Sequence, residues 1–214
     1  MSYAQPAFST PDQLSIGLGA APSRSRLGKL PVATVGPFAG AKDTLRLMAQ
    51  MAVGDDGERS MLVRHFTTWV VGSIWPKDYN GEILAIRNML VQPSPFIVDE
   101  KGQPVGTPLI RYTNDPRHVE AVKTPRRMVE EIFEHGTTAV DCDESACLAG
   151  TMALQVGREV AFVAMGFEPG HLTHVGVKVR EPKSNRWVWL DGVAGPKEKQ
   201  AASRAKELLV WSLD

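Results

Sequence analysis

The chain of 214 residues has only two cysteines, no excess of charge of either sign and no long apolar run. Each shortage excludes something. Cys142 and Cys147 are five positions apart in a segment that reads as a helix start. A bridge across so short a span is strained, so the expectation is two free thiols in a reducing compartment rather than a disulfide framework. Lys plus Arg and Asp plus Glu both number 24. A net charge of zero removes any whole-protein argument for binding nucleic acid or an anionic membrane. The most apolar stretch, residues 67–75, is too short to span a bilayer, and residues 1–22 lack the basic stretch and apolar core of a secretory leader. The expected setting is therefore the cytoplasm of the producing cell, with no membrane span and no nucleic-acid partner.

What the chain does have is enough apolar content, 43% against 22% charged, to bury a core. Its length suits one well-packed domain with appendages. Residues 1–40 are rich in Ser, Ala, Gly and Pro without a sustained period, and read as an extended arm that is either disordered or ordered only by a partner. Residues 41–95 read as a helical region. Leu45, Leu47, Met48 and Met51 set a helix over 42–51. Ser60 caps a second that carries Phe66, Trp69 and Ile74 and ends at Pro76, and a third covers 80–90.

Residues 96–214 mix both periods. Short strands are expected at 96–98 and 109–112. Thr124-Pro125 reads as an N-cap followed by a first-turn proline, opening a helix that stops at Gly136. A helix of small and apolar residues over 143–156 follows, then strands at 159–167, 173–180 and 187–193, and a final helix over 196–209.

The chemistry concentrates at Asp141-Cys142-Asp143. A cysteine at a helix N-terminus meets free N–H groups and the positive end of the macrodipole, which favour the reactive thiolate. The same N–H groups serve as oxyanion donors. Asp143 and Glu144 partly oppose that thiolate, so a nearby imidazolium is required. His174 opens the strand Val175-Gly176-Val177-Lys178-Val179, and Asp191 closes Trp187-Val188-Trp189-Leu190. A hairpin turning at residues 181–184 sets His174 directly opposite Asp191, with the valines and Leu190 on the other face. Nucleophile, base and orienting carboxylate are then Cys142, His174 and Asp191.

These residues resemble a known family. Asp141-Cys142-Asp143, then His174-Val175-Gly176-Val177 on a strand, then Trp187-Val188-Trp189-Leu190-Asp191, are similar to the core of transglutaminase-like cysteine enzymes, including those encoded by phages and prophages. The likeness spans roughly residues 110–195. It implies an α+β fold with a papain-like core, in which the helix bearing Cys142 packs on an antiparallel sheet. It implies acyl transfer on a protein or peptide substrate through Cys142, His174 and Asp191, with no cofactor. The NlpC/P60 cell-wall peptidases also resemble this order, although their third group is often a second histidine.

Plainer readings stand beside these. Cys147, five residues round the helix, reads as an inert packing residue. His171, His174 and the two cysteines outline a zinc site, but the spacing between the cysteines is unusual for paired ligands, so no metal is assigned. Trp187 and Trp189 share a strand face with Asp191, either roofing the site or simply packing. The charges of residues 123–134 read as a solvated helix face. The unpatterned arm and neutral charge also fit a structural component of a virion head or tail, bound to its neighbours through residues 1–40 and using the domain without turnover.

Overall fold

A computed structural model describes residues 32–35, 40–75, 77–91, 108–113, 120–190 and 203–213. Among them the chain is mixed α+β, with five helices and an antiparallel sheet. The helices are α1 (Ala41–Val53), α2 (Met61–Val71), α3 (Tyr79–Val91), α4 (Pro125–His135) and α5 (Cys142–Gln155). The strands are β1 (Val32–Val35), β2 (Ile110–Tyr112), β3 (Glu120–Lys123), β4 (Thr138–Val140), β5 (Val160–Glu168), β6 (His171–Arg180), β7 (Trp187–Trp189) and β8 (Glu207–Ser212).

Local chemistry sets the helix ends. Ser60 Oγ accepts the Val63 N–H, and Thr124 Oγ1 accepts the Arg127 N–H ahead of Pro125. α4 stops at Gly136, whose φ of 74° suits glycine, with its N–H donating to Ile132 O. α2 stops at Gly72 instead of continuing to Pro76.

α5 is the centre of the molecule. Every residue from position 143 to 153 is buried, so the helix has no solvent face. Its small residues let neighbours approach closely: a Cβ on Gly150 would lie 2.8 Å from Phe162 Cε1. Against α5 pack α1, α2, α3 and α4, together with β5 and β6. One hydrophobic core runs from Leu45, Met48 and Phe66 through Leu148 and Met152 to Val177 and Leu190. The helices of residues 41–95 and the sheet after residue 96 therefore share that core.

The main sheet has the order β7-β6-β5-β8, antiparallel throughout. Val160, Phe162 and Ala164 of β5 and Val175, Val177 and Val179 of β6 join the core that surrounds α5. The alternate residues Ala161, Val163 and Met165 point to the other face and are buried as well. β2 and β4 form a separate parallel pair, and β1 and β3 a separate antiparallel one.

Three expectations are corrected. Val32–Val35, inside the supposed partner-ordered arm of residues 1–40, pairs with β3 of the same chain; residues 1–31 and 36–39 lie outside the described residues. The final helix over 196–209 is not formed in its described part beyond Arg204. Glu207–Ser212 is instead strand β8 on the free side of β5, with Leu209 and Trp211 packed on the core. A run of four apolar residues fits either period, and the open edge of β5 decides between them. The β6–β7 hairpin pairs Lys178 with Trp189 and Val179 with Val188, two positions away from the expected register. The strand expected at 96–98 and the part of the strand expected at 187–193 that follows Leu190 lie outside the described residues. No helix among the described residues is long and apolar enough to cross a membrane.

Candidate active site

Cys142 is the first residue of α5, directly after strand β4 and the N-cap Asp141. The capping is reciprocal. Asp141 Oδ1 accepts the Glu144 N–H at 3.3 Å, and Glu144 Oε2 accepts the Asp141 N–H at 3.2 Å. Asp143 Oδ1 also accepts the Glu144 N–H, at 2.9 Å. The second oxygen of Glu144 accepts the Lys123 backbone N–H at 2.9 Å, which ties the start of α5 to β3. Cys142 is therefore held by a backbone whose position is fixed from two sides, while its side chain is only half-buried.

The two thiols differ sharply. Cys147 is fully buried, its Sγ 3.6 Å from Met48 O. Burial drives its thiol well above the ordinary range, and the carboxylates of Asp143 and Glu144 push the same way. That residue is the packing cysteine the sequence suggests. Neither cysteine is in a disulfide.

Glu144 is itself perturbed. Burial raises its carboxyl to about 7, with the Asp141 charge adding, against the opposing pull of Lys123 and the two backbone N–H donors. Near neutrality this carboxyl holds its proton part of the time, which eases the crowding of negative charge around Cys142. The pattern Asp-x-x-Glu ahead of an apolar run is a capping-box signature, so this residue was open to sequence reasoning, whereas its bond to β3 was not.

Lys123 anchors a second group of charges. Its ammonium contacts Glu131 Oε2 at 3.3 Å and donates to Ala139 O. Glu131 also accepts from Thr138 Oγ1 at 2.6 Å and pairs with Arg127 Nε at 3.0 Å. Burial works to raise the Glu131 carboxyl, but the Thr138 hydroxyl and the two cations outweigh it and hold it below its ordinary value. The charges expected on a solvated face thus include a partly buried network that joins α4, β3 and β4.

His174 lies in β6, the strand that packs beside α5, with Met165 of β5 as its register partner. Met165 pairs with His174 and Gly166 with Leu172, which leaves Thr173 as a bulged residue with no partner. By alternation His174 shares a face with Gly176 and Lys178, opposite the valines that meet α5. It stands immediately after the bulge, where a strand bends and its side chains are re-aimed. β7 reaches only as far as Lys178, extended by the Leu190 N–H to Val177 O bond at 2.9 Å. Among the described residues, the half of β6 holding His174 is thus flanked by β5 alone. Asp191 lies outside the described residues.

β6 packs beside α5 through Val175, Val177 and Val179, while His174 alternates to the other face of the strand. The observed β6–β7 pairing replaces the register expected to set His174 directly opposite Asp191. Trp189 is placed on the same face as Lys178, whose ammonium lies 4.4 Å from the indole centroid, and Trp187 remains exposed. Burial lowers the Lys178 ammonium from its ordinary value. His65 and His135 are exposed. Among the described residues no cluster of three or more His, Cys, Asp or Glu is arranged to hold a metal ion.

The class established by these elements is an α+β protein with a central cysteine-bearing helix laid against an antiparallel sheet. Comparison with family models, with curated proteins and with solved structures found no match to this chain.

Proposed function

We propose that this chain is a transglutaminase-like cysteine enzyme with a papain-like core, performing acyl transfer on protein or peptide amides through Cys142, His174 and Asp191. The observation that carries the reading is the contrast between the two thiols. Cys147 is sealed in the core, whereas Cys142 sits half-open at the first position of a rigidly capped helix. Helix N-termini favour thiolates and present N–H groups to an oxyanion.

In the reaction, Cys142 Sγ forms a bond to the amide carbonyl carbon, and the carbonyl electron pair moves to oxygen. Collapse breaks the C–N bond, and His174 gives its proton to the leaving amine. Water or a second amine then attacks the thioester, His174 takes the proton back, and the thiolate leaves. Asp191 orients the imidazole. No cofactor enters the scheme.

The experiment is release of ammonia or amine from peptide and peptidoglycan substrates, with and without an added primary amine. Cys142→Ala should abolish turnover, and His174→Ala should be nearly as damaging. Asp191→Asn should retain part of the activity, and Cys147→Ala should remain active. Wild type and Cys142→Ala behaving alike on every substrate would falsify the reading.

One observation favours a second reading, a virion structural component that keeps the fold without turnover. Asp143 is buried beside Cys142, and its negative charge opposes a thiolate. On that reading Cys142→Ala leaves particle assembly intact, and Cys142 alkylates no faster than a thiol in the unfolded chain.

A further inference from the structure

Tyr112 is the last residue of β2, and its register partner in the parallel pair is Val140 of β4. The Thr113 N–H continues the ladder by donating to Val140 O at 2.8 Å. Partners in register share a sheet face, so Tyr112 and Val140 project to the same side. Asp141 is still extended, with φ −100° and ψ −159°, and carries the alternation one residue further. Cys142 therefore falls on the face of Val140 and Tyr112, at the diagonal position. Such neighbours are about 7–8 Å apart between Cα atoms, within reach of an aromatic ring.

Burial along this face changes in a telling way. Ile110 is 7% exposed and Val140 fully buried, yet Tyr112, on the same face, is 50% exposed. The core ends at Val140, and the next positions on both strands, Tyr112 and Cys142, form its rim.

We propose that Tyr112 is the specificity-determining wall of the Cys142 site and that it selects an uncharged acyl donor carrying an aromatic or large aliphatic group beside the reacting carbonyl. The inference rests on the acyl-transfer reading and extends it to the substrate. A half-open ring offers an apolar face against which such a group stacks. The carboxylates of Asp141 and Asp143 lie at the same helix start and repel an acidic donor.

The test needs no natural substrate. In the full chain, alkylation of Cys142 by iodoacetamide and by N-benzyl iodoacetamide is followed by peptide mass spectrometry. In both reactions Sγ forms a bond to the methylene carbon and iodide leaves. Buried Cys147 stays unlabelled for as long as the protein is folded. The wild type should react with the benzyl probe faster by about tenfold, the rate equivalent of an aromatic contact plus its buried area. That preference should vanish in Tyr112→Ala and survive in Tyr112→Phe. It should also survive in Trp75→Ala, an exposed aromatic adjoining the α3 start that Arg158 and Glu82 tie to the far end of α5. Equal rates for the two probes in the wild type, or a preference that persists in Tyr112→Ala, overturn this inference alone. A Cys142 that reacts with neither probe faster than a thiol of the unfolded chain overturns the acyl-transfer reading, and this inference with it.

Discussion

Glu144 Oε1 accepts the backbone N–H of Lys123 at 2.9 Å, while the other oxygen of the same carboxyl caps the helix that begins with Cys142. One buried side chain thereby fixes the Cys142 end of the helix against β3, and its carboxyl is raised from 4.5 to about 7 by that burial.

The raised carboxyl has a pH signature. Between about 4.5 and 7 the folded protein keeps a proton on Glu144 that the unfolded chain releases. Stability therefore falls as pH rises through that window, by on the order of 3 kcal/mol in total for this group. Glu144→Gln removes the titration. The difference in urea midpoint between wild type and variant, measured at several pH values from 4 to 8, should change across the window and flatten above it. A constant difference would contradict the burial assigned to this group.

Thiol accessibility separates the cysteines without any assay of activity. With native protein, a small alkylating reagent should modify Cys142 and spare Cys147, and after denaturation both should react. Cys142→Ala should cost less than about 1 kcal/mol, since a half-buried residue at a helix start loses little packing. Labelling of Cys147 under native conditions would show that α5 opens from its neighbours.

Gly150→Ala tests the packing of α5 on the sheet. The new Cβ would meet Phe162 Cε1 at 2.8 Å, Phe162 Cζ at 3.0 Å and Val160 Cγ1 at 3.3 Å. Phe162 is fully buried and cannot swing away. Overpacking of this kind costs about 1–3 kcal/mol, which should outweigh the better helix propensity of alanine, about 1 kcal/mol at most. A melting temperature that falls supports the contact, and one that rises refutes it.

Arg158 and Glu82 form a largely buried ion pair, with the guanidinium 4.3 Å from the Tyr79 ring centroid. Glu82→Ala leaves that cation buried without its partner and should destabilise by about 3–5 kcal/mol. Removing both, as Arg158→Met with Glu82→Leu, should recover much of the loss. A double variant as unstable as the single one would mean that the pair itself, and not the orphaned charge, supplies the stability.

Much of the candidate site could be read locally. The Asp141 cap, the helix start at Cys142 and the strand after His174 depend on residues within a few positions of one another. The hairpin register did not yield in the same way. Turns at 181–184 and at 182–185 both contain suitable residues. The chain takes the second, with Glu181 N–H donating to Arg186 O and Asn185 at a φ of 57°. Moving the turn by one residue moves every pair by two, which keeps the faces and changes the partners.

The sequence by itself determined the helix boundaries marked by Ser60, Thr124 and Gly136, the apolar face of β6, and the difference in kind between Cys142 and Cys147. These follow from backbone hydrogen bonding and side-chain periodicity, which act over a few residues. Only the tertiary structure decided that residues 207–212 are a strand, that Val32–Val35 pairs with β3, that Glu144 bonds to Lys123 and that Tyr112 pairs with Val140, two residues before Cys142. Each of those joins segments about 20 to 90 residues apart. What selects them is the need to satisfy an open strand edge or a buried carboxyl, and that need exists only once the core has formed.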